Sequence, residues 1–300
     1  MLPYFGGRFT IISRMKPFLP VDEQVQKLQD NGLSLGGDDL GPARQLLLDH
    51  NYYRLSGYFR YFQVDPRSGK NRFTSQSTFE QIRTAYELDL KLAEHLRRGL
   101  AEFEVVFRSQ LAYYMAKSSG PDSYLAERIY ADQNGARSRL LADIARDLKQ
   151  SEERFVRHHD RRGETLPVWA AVEVMSLGTT SKMYGLVLDA EGVFKPVAAR
   201  FGISHRASRP IFRSMTVLRN VCAHHSRVWN RDDIKLETPR EPQTDKDRTI
   251  YKDTPWAWIS TLGHIVDKVR NDESYSESLW DFIDSTPDWF VEGLTHPSDK

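Results

Sequence analysis

The chain has 300 residues, enough to bury a proper core in one large domain or two smaller ones. With 40% hydrophobic and 28% charged residues and a formal net charge of +1, the composition excludes a disordered or fibrous protein, and it does not by itself announce a nucleic-acid binder. The single cysteine, Cys222, excludes an intrachain disulfide and argues against a cysteine-ligated zinc site, so a reducing compartment is expected. No stretch approaches the roughly 18 apolar residues needed to span a bilayer. The opening MLPYFGGRFTIISRM lacks the continuous apolar core of a signal peptide, because Arg8 interrupts it. A cytoplasmic protein with no membrane association is expected. Regular patterning begins only after Lys16 and Pro17, so residues 1–15 are an unassigned extension and Met15 is an alternative start.

Helix follows helix along the chain. Asp22 is placed to cap EQVQKLQDNGL, which Gly32 stops. A short helix is expected from Gly41 to Asp49. The aromatic block NYYRLSGYFRYF (Asn51 to Phe62) reads as core more readily than as a base-stacking surface, and a turn follows around Asp65, Pro66 and Gly69. From Phe79 to Met115 apolar residues recur at Ile82, Tyr86, Ala93, Leu96, Leu100, Phe103, Phe107, Leu111 and Tyr114. That spacing predicts one helix of about 35 residues, long against a mean of about 11–12. Glu104 and Arg108 lie one turn apart on it. They read as an i,i+4 ion pair, a kind of pair that can also orient a site group.

One or two charged helices are expected between Pro121 and Gly163, then two short ones from Pro167 to Leu188 broken at Gly178. A polar loop is expected over 237–255, and further helices around Trp256–Arg270 and Ser276–Phe282. No strict alternation argues for a sheet, and there is no internal repeat, Walker loop or GxGxxG. The fold class is all-α.

The informative segment runs from Lys195 to Arg231. Its 37 residues hold eight lysines and arginines and no acidic residue. Such a bias fits a phosphate-binding surface, or a basic face paired with acids elsewhere. With Pro210–Arg227 treated as helical and Pro210 in its first turn, Ile211, Met215, Leu218 and Cys222 fall within about 60° and form the buried stripe. Arg213, Thr216, Asn220, His224 and Arg227 cluster within about 80° on the far side, and Arg219 flanks them. Asn220 is placed to orient His224. His225 projects nearer the apolar side, which favours His224 as the reactive histidine.

Histidine titrates near pH ~6.5 and can take and return a proton at neutral pH, while arginine offers a charged planar fork to phosphate oxygens. RNA supplies its own nucleophile, the 2′-hydroxyl. A histidine base, a histidine acid and an arginine facing the phosphorane therefore suffice without a metal or cofactor. One chain carries one such motif, so a symmetric homodimer that joins two copies is the economical arrangement.

Arg219-Asn220-Val221-Cys222-Ala223-His224-His225 resembles the R-x4–6-H motif of the HEPN ribonuclease superfamily in its RNxxxH form. RNVCAHHSRVWNR, KPFLPVDEQVQKLQDNGL, HNYYRLSGY, FEVVFRSQLAYY and LPVWAAVEVMSLGTTSKMY are similar to AbiD/AbiF-type abortive-infection proteins, in the right order over Lys16 to Trp229. The resemblance implies a HEPN-type helical bundle over 16–236, to which further N-terminal helices and the C-terminal helices of 256–300 are additional. It also implies a composite dimer site and RNase activity used as a toxin or anti-phage effector. Arg219 and His224 fill the catalytic pair and Asn220 the supporting position, while R-x5-H would select His225. Some relatives are restrained by a small structured RNA, which makes an RNA antitoxin a candidate partner. Arg209, Arg213, Arg227 and Arg231 are the expected contacts to RNA phosphates. Two rival readings are a non-catalytic HEPN module that binds RNA or a partner, and a metal-dependent hydrolase using His158, His159, His224 and His225.

Overall fold

The computed structural model describes residues 17–132, 134–235 and 250–297. The extension 1–15 and most of the polar loop 237–255 lie outside the described residues. The remainder is all-α: thirteen α-helices and one short hairpin among the described residues.

Helix α1 (Val21–Asp30) is preceded by Pro20, and Asp22 lies inside its first turn rather than capping it. There Asp22 accepts from Arg44 of α2 (Leu40–His50) at 2.5 Å. The aromatic block opens with α3 (Tyr52–Phe59), capped by Asn51, whose side chain accepts from the Tyr53 N–H at 2.8 Å. It then runs into a hairpin that periodicity did not predict, β1 (Gln63–Asp65) and β2 (Lys70–Phe73). The strands are antiparallel, pairing Gln63 with Phe73 and Asp65 with Lys70 across a bulge. Each is too short to display an alternating pattern, which is why the turn was legible and the strands were not.

The long helix is α4 (Phe79–Ser119), unbroken over 41 residues. Thr78 and Gln81 exchange a capping box at its start. Every apolar position predicted along it is buried except Tyr114, which is half-buried. Helices α5 (Ala136–Gln150) and α6 (Arg154–Arg162) are the two charged ones. Helices α7 (Val168–Val174) and α8 (Leu177–Leu186) break at Met175–Ser176 and not at Gly178, which sits inside α8. The hydroxyl of Ser176 accepts from the Thr179 N–H and so starts the second helix itself.

After α9 (Phe194–Arg200) comes α10 (His205–Ala223), which starts earlier and ends earlier than 210–227. Pro210 is therefore past the first turn, where it removes the N–H that would reach the Arg206 carbonyl. Phe103 and Phe107 of α4, Tyr184 of α8, Phe201 just after α9 and Phe212 of α10 meet in one aromatic cluster at the centre.

Three helices follow: α11 (Pro255–Arg270), α12 (Ser274–Asp284) and the unpredicted α13 (Asp288–Thr295). Helix α11 packs along α4. Helix α13 covers Trp229, whose ring stacks on Phe290 and approaches Gly293 so closely that a Cβ there would sit 2.3 Å from Nε1. No described helix is long and apolar enough to cross a membrane.

Candidate active site

Helix α10 buries Ile211, Met215, Leu218 and Cys222, as the stripe predicts, and leaves Arg213, Val217 and Asn220 outside. Thr216, expected on the polar face, is buried, with its hydroxyl on the Phe212 carbonyl at 2.9 Å. Burial pushes the Cys222 thiol up to about 12, so it is no nucleophile.

The helix ends within the motif. His224 is the C-cap, and its N–H donates to the Asn220 carbonyl at 3.0 Å. His225 adopts a left-handed backbone, φ 52°. Its N–H donates to the Cys222 carbonyl at 3.3 Å and that of Ser226 to Val221 at 2.9 Å. This is a Schellman closure with a histidine where glycine is favoured. Both histidines are exposed. His225 is thus turned to solvent, not toward the apolar side, because the chain leaves the helical path before it. Among the described residues no hydrogen bond joins the Asn220 amide to either imidazole; Asn220 engages His224 through its backbone carbonyl.

Two distant helices reach this turn. The Arg54 guanidinium of α3 donates to the His225 carbonyl from 171 positions away. On α4, Glu104 holds two arginines at once. One carboxylate oxygen accepts from Arg108 at 2.5 and 3.2 Å, and the other accepts from Nε of Arg219 at 3.2 Å. Arg108 is buried, and its other face donates to the carbonyls of Val172 and Met175. Arg219 keeps its side chain 42% exposed. Its two terminal nitrogens have no partner among the described residues. A buried arginine therefore fixes Glu104, and Glu104 fixes the edge of Arg219 while leaving its outer fork open. The sequence signal for this was the Glu104–Arg108 spacing, whose second oxygen periodicity cannot aim. Arg54 was missed altogether.

Beside Arg219 and Asn220 lies an open cleft of about 760 Å³, bordered by Glu173, Ser176 and Asp147. Asp147 accepts from the Ser176 N–H at 2.9 Å and the Thr179 hydroxyl at 2.6 Å. Burial opposes its charge, but those bonds and Arg146 together hold its carboxyl below the ordinary carboxylate range.

The segment after the histidines is tied inward. Asp89 of α4 is buried and accepts from the Tyr58 hydroxyl at 2.6 Å, the Trp229 N–H at 2.9 Å and the Val228 N–H at 3.2 Å. Burial pushes its carboxyl above the ordinary range against those donors.

The structure does not gather the four expected phosphate contacts. Arg227 crosses Gly57 and donates to the carbonyls of Trp229 and Asn230. Arg231 forks onto Asp233 at 2.7 and 2.5 Å. Arg209 donates to Asp189 at 2.7 Å and covers the Phe194 ring. Arg213 is exposed beside a groove between α5, α8 and α10. On α6, Nδ1 of His159 faces the Phe155 carbonyl at 2.9 Å, and among the described residues no three His, Cys, Asp or Glu side chains group as metal ligands.

A family model described as Abi-like protein matches residues 45–230, from Gln45 in α2 to Asn230 just past the histidine turn. No curated protein and no solved structure matches the chain. The matched region is well over half of the sequence and carries Arg54, Glu104, Arg219, His224 and His225, and the chain belongs to the Abi-like protein family.

Proposed function

We propose that this chain is an abortive-infection effector of the AbiD/AbiF type with a HEPN core, a metal-independent endoribonuclease acting through Arg219 and His224. The observation that carries this reading is the pair of exposed histidines at the end of α10, one turn beyond an arginine that Glu104 holds by one edge. In the reaction a neutral imidazole takes the 2′-hydroxyl proton, and O2′ attacks the adjacent phosphorus. The open fork of Arg219 faces the negative charge that grows on the phosphoryl oxygens. An imidazolium gives its proton to the departing 5′-oxygen, leaving a 2′,3′-cyclic phosphate and a 5′-hydroxyl. No metal takes part. The base and the acid come from two copies of α10 across a homodimer. A small structured RNA is the restraint such an effector would use in the cell.

The test is incubation in EDTA with end-labelled RNA and the matched DNA. Cleavage of RNA alone, with cyclic-phosphate ends and lost in His224→Ala and Arg219→Ala, supports the nuclease. The ion pair of Arg219 with Glu104 favours a second reading, a non-catalytic RNA-binding module. That reading gains if the protein, freed of co-purifying RNA, binds RNA but leaves it intact.

A further inference from the structure

One ring of the aromatic block does not join the core. Tyr58, Phe59 and Phe62 are buried, and Tyr52 and Tyr61 pack against them. Tyr53 is 86% exposed. It stands at the rim of a cavity of about 530 Å³ between α1, α3 and the hairpin, lined also by Gln24, Lys27, Asn51, Tyr52 and Asn71. Lys27 lies over the Tyr52 ring, 5.4 Å from its centre. Nε2 of Gln24 donates to the Leu19 carbonyl at 2.8 Å, whereas its Oε1 is buried with no partner among the described residues.

Helix α3 is the wall between this cavity and the histidine turn. Tyr53 and Ser56 line the cavity, while Arg54 donates to the His225 carbonyl and Gly57 lies under Arg227. A helix is about 10–12 Å across with its side chains, a short step along an extended single strand. Rings for stacking, amides for a base edge, and the charges of Lys27 and Arg54 for the backbone are the parts of a single-strand subsite. We propose that this cavity holds an unpaired base of the RNA strand whose neighbouring phosphate lies at His224, with Tyr53 as its stacking platform and Asn51 and Asn71 beside the base edge. The placement of the neighbouring phosphate at His224 rests on the nuclease reading; the base pocket itself is read by binding.

The experiment uses full-length His224→Ala protein, so that RNA stays intact, and measures affinity for a labelled single strand and for the same strand annealed into a duplex. Tyr53→Ala should weaken single-strand binding about ten-fold or more and leave duplex binding unchanged, while Tyr53→Phe keeps the affinity. Equal single-strand affinity for Tyr53→Ala and its parent overturns the pocket and leaves the nuclease reading untouched. Tyr53-dependent binding by a wild-type protein that cleaves nothing keeps the pocket and removes the nuclease. No binding of either RNA by the parent overturns both.

Discussion

Two neighbouring stretches of the chain are held in opposite ways. His224, His225 and Ser226 stand in solvent, held among the described residues through backbone groups alone: the Schellman bonds and the donation from Arg54. Val228, Trp229 and Asn230 are buried a few residues later, their amides and rings engaged by Asp89, Tyr58 and α13. The difference separates two jobs. The anchor spends its side chains on burial, where precise placement is enforced by packing. The histidine turn leaves its imidazoles without a partner among the described residues and takes its placement from the anchor on one side and from α10 on the other.

That division can be broken from the anchor first. Trp229→Ala should lower stability by about 3–5 kcal/mol in denaturant unfolding, since it opens a fully buried site and strips the Phe290 carbonyl of its donor. A loss below about 1 kcal/mol would mean that the segment is not anchored by this ring. Glu104→Gln is aimed at the other support. It should lower kcat up to about a hundredfold with little change in KM, because a loosened Arg219 misplaces transition-state charge more than ground-state binding. A fall in apparent kcat that only tracks the loss of folded protein would make Glu104 structural.

Smaller effects sharpen the contrast. The carboxyl of Asp147 is lower in the folded chain than its unfolded value of about 3.9. Its stabilisation is therefore present above that value and lost as pH falls through the folded one. Asp147→Asn should cost about 1 kcal/mol at neutral pH, with the difference from the parent vanishing in strong acid. Thermal melts across pH check this, and a constant difference would refute it. His225→Gly should raise stability by about 0.5–1 kcal/mol, since glycine meets no penalty at φ 52°. Its activity then assigns the chemistry: retained cleavage leaves His224 as the reacting imidazole, and lost cleavage gives His225 a part.

The helical nature of the chain, the unbroken run of α4 and the buried stripe of α10 were legible because each is a local periodicity. The Arg219–His225 motif was legible because its residue types sit within two turns of one helix. Other features were not. Ending α10 at Ala223 instead of Arg227 took His225 off the apolar side and Arg227 off the polar stripe. The end was set by a Schellman closure without glycine, a stop that residue type does not announce. The hairpin of β1 and β2 and the last helix, α13, were equally silent, the first for shortness and the second for want of a capping signal.

By itself the sequence determined which residues could carry the chemistry and that helices would present them, because helix periodicity and side-chain chemistry are properties of neighbouring positions. Only the tertiary structure decided how they are held. Arg54 meets His225 across 171 positions, Glu104 meets Arg219 across 115, and Asp89 meets Trp229 across 140. Such contacts arise when whole helix faces pack, and no local pattern encodes which faces will meet.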